Sequence, residues 1–235
     1  MIKAYLRIDD SPSEITPDFV DYLADKKITP IIFAVGENIE KHFDNAVYAL
    51  QKGAVIGNHS HTHPDFSKLS LEQAVDEIEK CETLLDKVYE CAGVKREHKL
   101  FAFPYGNKGG QNKNAIQQYL KAKGFARVDD TAIQFDWYKQ NGLDKDIDSF
   151  WTFDLAEYQL QWNNGFTYES ILERIHDKHP KDGGALLQEN SNHIILIHDH
   201  FQTNVIIKDY YKTLIDYLIN AGVTFVRPEF KKENF

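Results

Sequence analysis

Three histidines lie within five residues, at His59, His61 and His63, directly after the short apolar run 54–56. Imidazole is the commonest protein ligand of zinc and of the related transition metals. His59 and His63 are four residues apart, so they would share one face if the segment were helical. The spacing favours a metal site at the end of a strand, while a solvated histidine pair in a surface loop is the structural alternative.

Two adjacent carboxylates, Asp9 and Asp10, end the apolar run 4–8 near the start of the sequence. One hard carboxylate beside two imidazoles would make a three-residue metal site with a coordination position left for water. A turn or a helix N-cap is the structural alternative for the aspartates. Because both polar clusters close a strand-like run, we interpret them as parts of one site.

The composition is that of a globular protein without a nucleic-acid footprint. The chain has 235 residues, of which 42% are hydrophobic, and its net charge is −9. Nucleic-acid binding is disfavoured because it needs clustered positive charge. Cys81 and Cys91 fall in one predicted helix, about 15 Å apart, which is beyond the reach of a disulfide. The sequence has no signal-peptide pattern and no apolar stretch long enough to span a membrane, so we expect a cytoplasmic location.

Short apolar runs alternate with amphipathic segments, a pattern that predicts a parallel sheet covered by helices. The strand-like runs are 4–8, 30–35, 54–56, 100–103, 125–128, 150–153, 194–197 and 223–226. One helix is predicted to begin at Thr16, and others cover approximately 39–52, 70–91, 112–123, 168–179 and 206–220. This number of strands favours an α/β barrel that forms a single domain over residues 1–235.

Polar residues follow four of the predicted strands. These are Asp9 and Asp10 after the first run, His59 and His63 after the third, Pro104–Gly106 after the fourth, and His198 and Asp199 after the seventh. The carboxyl ends of parallel strands lie on one face of a barrel, so we expect the four clusters to meet there. The sequence therefore predicts one composite polar site.

These motifs and their order resemble the polysaccharide deacetylases with NodB homology, which form carbohydrate esterase family 4. The aspartate motif of that family corresponds to residues 7–12, its His-Ser/Thr-x-x-His motif to residues 59–63, its Pro-Tyr-Gly motif to Pro104–Gly106, and its Leu-x-His motif to residues 196–198. The resemblance covers nearly the whole chain. It implies a distorted (β/α) barrel with seven or eight parallel strands.

The resemblance also implies a metal site. Asp10, His59 and His63 would bind one divalent ion, zinc by default, with cobalt, manganese or nickel as alternatives. His61 falls on a variable position of the motif and is assigned no ligand role. One coordination position would stay open for water, as in catalytic zinc sites.

The catalytic roles follow from the same resemblance. Asp9 would be the general base that activates water, and His198 would be the general acid that protonates the leaving nitrogen. The backbone N–H of Tyr105 would stabilise the oxyanion. Substrate contacts are expected from Pro104, Tyr105, Trp137 and Leu196. Trp151 and Trp162 are further candidates for the sugar site, with core packing as the favoured alternative for Trp151.

Two positions depart from the family pattern. Many members have an arginine two residues before the proline of the third motif, and Ala102 stands there instead. Arg7 and Arg127 are candidate substitutes, and positions 7 and 9 share one face of a strand. A solvated or salt-bridged arginine is the alternative for both.

The fourth family motif, Asp-x-x-Asp-Trp, is also incomplete. Asp136 and Trp137 match its end, but Ile133 occupies the position of its first aspartate. The carboxylate that tunes His198 is therefore not identified from sequence. Asp199 is adjacent to His198, but consecutive strand residues point to opposite sides.

The implied activity is that of a metal-dependent carbohydrate N-deacetylase, which removes an N-acyl group, expected to be acetyl, from an amino sugar. The partner would be a lipid- or nucleotide-linked sugar in the cytoplasm, or an oligosaccharide, and the oligomeric state is left open. Two alternatives remain on the same fold. One is a hydrolase of cyclic amides or ureides, and the other is an inactive glycan-binding homologue.

Overall fold

The computed structural model describes residues 1–231, which form eight strands and nine α-helices. The strands are β1 (Ile2–Ser11), β2 (Ile31–Ala34), β3 (Val55–Asn58), β4 (Arg127–Val128), β5 (Phe153–Asp154), β6 (Asn192–His198), β7 (Val223–Phe225) and β8 (Phe230–Lys231). The helices are α1 (Thr16–Asp25), α2 (Gly36–Lys41), α3 (Phe43–Gln51), α4 (Leu71–Ala92), α5 (Lys113–Ala122), α6 (Asp136–Gln140), α7 (Tyr168–His176), α8 (Phe201–Ile206) and α9 (Tyr210–Asn220).

Strand β1 is the centre of a six-stranded parallel sheet. The strand order is β3-β2-β1-β6-β5, and β7 also pairs with β1. The β1–β6 pairing extends along both strands and places Asp9 opposite His198. The carboxyl ends of the first and sixth strands are thus held side by side by backbone hydrogen bonds.

Residues 100–103 and 125–128 extend the sheet beyond β3 less regularly than the sequence predicts. Residues 100–103 form no named strand, and they join β3 through a parallel bridge between Asn58 and Phe101. A second parallel bridge links Lys99 to Phe125, while β4 pairs antiparallel with β8. Pro104 ends the segment, because proline has no N–H to continue a ladder. The architecture is the distorted (β/α) barrel that the resemblance implies.

Side chains alternate between two environments along the central strand. Leu6 and Ile8 pack with Phe19 and other helical residues in the cluster between sheet and helices. Arg7 points the other way, and its guanidinium lies 4.7 Å from the centre of the Phe33 ring. Asp9 shares that face of β1 with Arg7, so the strand period directs both charged side chains towards the barrel interior.

The longer helices follow the sequence pattern, whereas the short helices α6 and α8 are not predicted by it. Helix α4 covers the predicted segment 70–91, begins after a capping box made by Ser70 and Gln73, and ends at the left-handed Gly93. The predicted helix 39–52 is instead two helices, α2 and α3. They are separated by His42, whose φ of −131° and ψ of 42° are not helical.

Cys81 is buried, Cys91 is exposed, and neither forms a disulfide. Within residues 1–231, no helix combines the length and the apolar character needed to cross a membrane. The prediction of a single domain over 1–235 includes residues 232–235, which lie outside the described part of the chain, and it stays a prediction.

Candidate active site

The carboxyl ends of β1 and β3 bring Asp10, His59 and His63 together. One ligand atom of each residue lies within 4.8 Å of the others. Asp10 Oδ1 is 3.2 Å from Nε2 of His63 and 3.6 Å from Nε2 of His59. The three side chains that the sequence assigns to a metal therefore converge on one point.

The donor set and its spacing fit a divalent ion. In a tetrahedral zinc site with bonds of about 2.1 Å, ligand atoms are separated by about 3.4 Å. The two distances from Asp10 Oδ1 to the histidine nitrogens lie on either side of that value. Asp10 Oδ1 is also buried and has no hydrogen-bond partner among the described residues. A buried acceptor without a partner is costly, and a cation would satisfy it.

His59 is oriented by the backbone of the fourth predicted strand. Its Nδ1 lies 2.9 Å from the carbonyl oxygen of Ala102. Because a carbonyl can only accept, Nδ1 carries the proton and Nε2 presents its lone pair to Asp10. Burial lowers the pKa of His59 to about 4. The imidazole is thus neutral at pH 7, the form that binds metals.

Turns, and not a helix, bring His63 back to His59. Ser60 and His63 have φ values of 69° and 57°, in the left-handed region, and such residues interrupt a right-handed helix. Ser60 Oγ accepts a hydrogen bond of 3.1 Å from the His63 N–H. The ring centres of the two histidines are 5.0 Å apart. The segment is not helical, so the shared helical face does not form, and the turns bring the two rings together instead.

Arg7 holds the carboxylate of Asp9 in a two-point contact. Arg7 Nε donates to Asp9 Oδ1 at 2.8 Å, and Nη2 donates to Oδ2 at 2.6 Å. Arg7 is fully buried, and Asp9 is 3% exposed. Burial alone would raise the pKa of Asp9, but the charge of Arg7 lowers it below its usual value. Asp9 is therefore ionised at neutral pH.

His198 ends β6 and is bonded to Glu157. Oε1 of Glu157 accepts a hydrogen bond of 2.6 Å from the His198 backbone N–H and lies 3.1 Å from Nδ1. Glu157 is fully buried. Burial lowers the pKa of His198, but the Glu157 carboxylate, with Asp154 and Asp10, outweighs it and raises the pKa to about 10. His198 therefore carries a proton that it can donate at neutral pH.

A cavity of about 410 Å³ opens at these strand ends. Besides Asp9, Asp10, His59, His63 and His198, it is lined by Tyr105, Trp151, Asp154, Tyr158, Gln161, Trp162, Leu196 and His200. Tyr105 and Trp162 are 69% and 55% exposed, so their rings are available to a ligand. Concave sites with aromatic walls and a few convergent polar groups are typical binding sites.

The substrate contacts expected from sequence are only partly brought together. Tyr105 and Leu196 line the cavity, while Pro104 is buried at the start of the turn that presents Tyr105. Trp137 lies in a neighbouring cavity with Phe150. Trp151 is only partly buried and lines both cavities, so of its two interpretations from sequence the structure favours the sugar site over core packing.

The first part of the chain matches a known protein family. Residues 2–128, more than half of the chain, match the family described as polysaccharide deacetylase. The chain belongs to the polysaccharide deacetylase family. The match includes Asp9, Asp10, His59, His63 and Tyr105, and it confirms the resemblance seen in the sequence motifs.

Individual members of the polysaccharide deacetylase family resemble parts of the chain. A peptidoglycan-N-acetylglucosamine deacetylase of Bacillus cereus is 36% identical over 85 residues, which are 35% of this chain and 30% of the relative. Chitin deacetylase 1 of Cryptococcus neoformans is 28% identical over 169 residues, which are 68% of this chain and 35% of the relative. The chain thus spans about a third of the length of these two relatives.

Solved structures of polysaccharide deacetylases share the fold along most of the chain. A polysaccharide deacetylase from Bacillus cereus has a TM-score of 0.64 at 21% identity, covering 94% of this chain and 89% of the other. A family 4 carbohydrate esterase from Streptomyces lividans has a TM-score of 0.63 at 19% identity, covering 96% and 92%. This similarity establishes the fold of this polysaccharide deacetylase family member.

Arg7 and Arg127, the two candidate substitutes for the arginine absent at Ala102, make different contacts. Arg7 makes the contact to Asp9 that the usual arginine of polysaccharide deacetylases is expected to make, and its Nη1 also donates to Ser149 O at 2.8 Å. Arg127, the other candidate, forms an ion pair with Asp130. Of the two candidates, only Arg7 lies on the same strand face as Asp9, and this places its guanidinium within hydrogen-bonding distance of the carboxylate.

The carboxylate that partners His198 lies outside residues 133–137, the segment that partly matches the fourth family motif. Asp136 is exposed at the start of α6, and Glu157 is the residue bonded to His198. Residues 154–158 read Asp-Leu-Ala-Glu-Tyr, which keeps the spacing of Asp-x-x-Asp-Trp with Glu and Tyr as replacements. A search that allowed those replacements after the run 150–153 would have found it.

Asp199 and His61 do not line the cavity that contains the candidate metal and catalytic residues. Asp199 accepts hydrogen bonds from the hydroxyls of Ser11, Ser13 and Thr16, and so it ties β6 to the start of α1. The ring of His61 packs against Gly36, where an added Cβ would lie 2.3 Å from Nδ1. Asp199 therefore supports the fold, and His61 occupies a structural position beside the histidine motif.

Proposed function

We propose that this chain is a metal-dependent N-deacetylase that hydrolyses the N-acetyl amide of an amino sugar. One observation carries the proposal. The same cavity contains the Asp10–His59–His63 group, an ionised carboxylate at Asp9 and a protonated imidazole at His198. A cation site between a base and an acid is what hydrolysis of an unreactive amide requires.

Asp10, His59 and His63 would hold the ion. Zinc is proposed because two imidazole nitrogens and one carboxylate oxygen are its usual catalytic ligands, and cobalt, manganese or nickel accept the same donors. An ion bound there would acidify a water molecule and polarise the carbonyl of the amide. The neutral state of His59 at pH 7 supports the proposal, because a protonated imidazole cannot ligate.

The proposed proton transfers use Asp9 and His198. Asp9 accepts a proton from the attacking water as the new C–O bond forms, and Arg7 fixes the orientation of its carboxylate. His198 then gives its proton to the amide nitrogen as the C–N bond breaks, because an unprotonated amine is a poor leaving group. The products are acetate and the free amino sugar. The backbone N–H of Tyr105 is proposed to stabilise the oxyanion.

The proposed substrate is an N-acetylated amino sugar held against the aromatic wall of the cavity. Tyr105 and Trp162 offer exposed rings for the apolar face of a pyranose, and Leu196 lines the cavity near His198. Relatives named as peptidoglycan-N-acetylglucosamine and chitin deacetylases support this substrate class. A lipid- or nucleotide-linked precursor and a cytoplasmic location stay predictions.

A release assay tests the proposal directly. Purified protein, stripped of metal and then reloaded with zinc, is given N-acetylated sugar nucleotides, lipid-linked sugars, chito-oligosaccharides and peptidoglycan fragments, and acetate and amine are measured. We expect zinc-dependent release of both products in equal amounts from at least one glycan. Hydrolysis confined to cyclic amides or ureides, or glycan binding without any release, would contradict the proposal.

The histidine motif gives a prediction about metal affinity. His59→Ala should lower zinc occupancy far more than His61→Ala, because His59 Nε2 faces Asp10 whereas His61 packs against Gly36. The measurement is zinc per chain after equilibration at one free zinc concentration. We expect one ion per chain in the wild type and in His61→Ala, and a large deficit in His59→Ala. Equal occupancy in the two variants would remove His59 from the ligand set.

The pair of Glu157 and His198 gives a prediction about pH dependence. His198 is an acid only while protonated, and the Glu157 carboxylate raises its pKa to about 10. In Glu157→Gln, burial acts without that opposing charge, so the pKa of His198 should fall. The alkaline limb of kcat/KM should therefore move to lower pH by at least one unit. Glu169→Gln, an exposed residue of α7, is the control that should leave the profile unchanged.

A further inference from the structure

The two oxygens of the Asp10 carboxylate face different partners. Oδ1 is directed at His59 and His63, at 3.6 and 3.2 Å from their Nε2 atoms. Oδ2 lies 2.8 Å from Nε2 of His200, a residue outside the four family motifs matched above. His200 follows β6 by two positions and precedes α8. The carboxylate is therefore divided between a proposed cation side and a hydrogen-bonded side.

Hydrogen bonds hold both ring nitrogens and the backbone N–H of His200. Gln161 Nε2 lies 3.1 Å from His200 Nδ1 and 3.0 Å from Thr203 Oγ1. A carboxylate oxygen can only accept, so His200 Nε2 carries the proton of its contact with Asp10 and donates it to Oδ2. The His200 backbone N–H also donates to the hydroxyl of Tyr210 at 3.2 Å.

The backbone of Asp10 is restrained separately from its carboxylate. Asp10 has a φ of 65°, in the left-handed region, and its carbonyl oxygen accepts a hydrogen bond of 2.7 Å from Asn38 Nδ2. These contacts fix where the side chain starts, but they do not fix the rotation of the carboxylate about its last bond. The contact between Oδ2 and His200 restrains that rotation and leaves the other oxygen, Oδ1, facing the two histidines.

We propose that His200 is a positioning residue that holds Asp10 as a one-oxygen metal ligand. This rests on the proposed metal site. With Oδ2 held by His200, Oδ1 alone would be available to a bound ion, which would leave room for water and the substrate carbonyl. Partners of metal ligands that act in this way usually change metal affinity by about 10–100-fold when they are removed.

The test compares two substitutions of His200 whose side chains are similar in length but differ in having an N–H donor. His200→Gln keeps an N–H where Nε2 stands, and His200→Met removes it. The control is His42→Met. The His42 side chain is 24% exposed against 25% for His200, and both residues line a second cavity beside the site, but His42 pairs with Glu14 and not with Asp10. Zinc Kd is measured for the full chain by competition with a chromophoric chelator, and thermal unfolding is measured for the metal-free proteins.

We expect His200→Met to weaken zinc binding by about 10–100-fold, with an unchanged unfolding midpoint of the metal-free protein. His200→Gln should recover most of the affinity, and His42→Met should bind as the wild type does. A wild-type Kd in His200→Met, or the same loss in the Gln and Met variants, would overturn the inference while leaving the metal site intact. A wild-type chain without zinc affinity would overturn the proposed function as well, so the two failures are distinguishable.

Discussion

Replacement of Asp9 by Asn is expected to lower deacetylation by about 10²–10⁴-fold, the usual contribution of one general base. The ionised carboxylate of Asp9 can accept a proton from water at neutral pH, whereas a neutral amide cannot. The measurement is kcat/KM for acetate release at saturating zinc, with bound zinc counted in the same sample. We expect one ion per chain in the variant, because Asp9 is not one of the three proposed ligands.

The control for this variant separates lost chemistry from lost stability. Asp9→Asn leaves the charge of Arg7 buried without a counter-charge, so a folding defect alone would also reduce activity. The double variant Arg7→Met/Asp9→Asn removes both charges, and replacing a whole buried ion pair by neutral groups is often nearly neutral for stability. We expect it to regain most of the wild-type unfolding midpoint but none of the activity. Turnover within tenfold of the wild type in either variant would reassign the base.

Replacement of Arg7 by Met should produce a large loss of stability. Removing one partner of a buried pair typically lowers the free energy of unfolding by about 3–5 kcal/mol, because the other charge is left uncompensated. In Arg7→Met the charge left uncompensated is the carboxylate of Asp9, which is 3% exposed. Urea unfolding at pH 7 with metal-free protein measures the loss. The matched surface variant Lys26→Met, whose partner Asp216 is half exposed, should change stability by less than about 1 kcal/mol.

The same variant has a defined pH dependence. In the wild type the pKa of Asp9 is lowered, so the ion pair contributes stability above the unfolded-state pKa that is lost as pH falls through the folded-state pKa. Without Arg7, burial raises the pKa of Asp9. As pH falls, Asp9 is protonated, and the variant recovers part of its lost stability. The stability gap between wild type and Arg7→Met should therefore narrow from pH 7 to pH 4, and the acid limb of kcat/KM should move to higher pH. A gap independent of pH would mean that the Arg7–Asp9 pair is not its source.

Much of the architecture could be predicted because the apolar runs are short, regularly spaced and separated by amphipathic segments. Six of the eight runs appear as strands of the parallel sheet, and the long helix α4 has both of its sequence boundaries, Ser70 and Gly93. The runs 100–103 and 125–128 were predicted as equal members of the barrel, and they are its irregular side. A run of apolar residues reports burial, but it does not report which neighbour completes the hydrogen bonds.

The candidate site divides in the same way. Local motifs at strand ends contain the five polar residues Asp9, Asp10, His59, His63 and His198. Parallel strands bring their carboxyl ends to one face regardless of how the core is packed. The sequence therefore determined the residues that could bind a cation and move protons. It also offered Arg7 through the two-residue period of β1, without deciding between Arg7 and Arg127.

Only the tertiary structure decided which partners surround these residues. Glu157 reaches His198 from 41 positions away along the chain, and His200 reaches Asp10 across 190 positions. Side chains at such separations meet because of the register between strands and the course of the turns, and neither is encoded in a local motif. The orientation of Asp10 and the proton held by His198 depend on those contacts, so local sequence can name the reacting groups but not the charges and hydrogen bonds that prepare them.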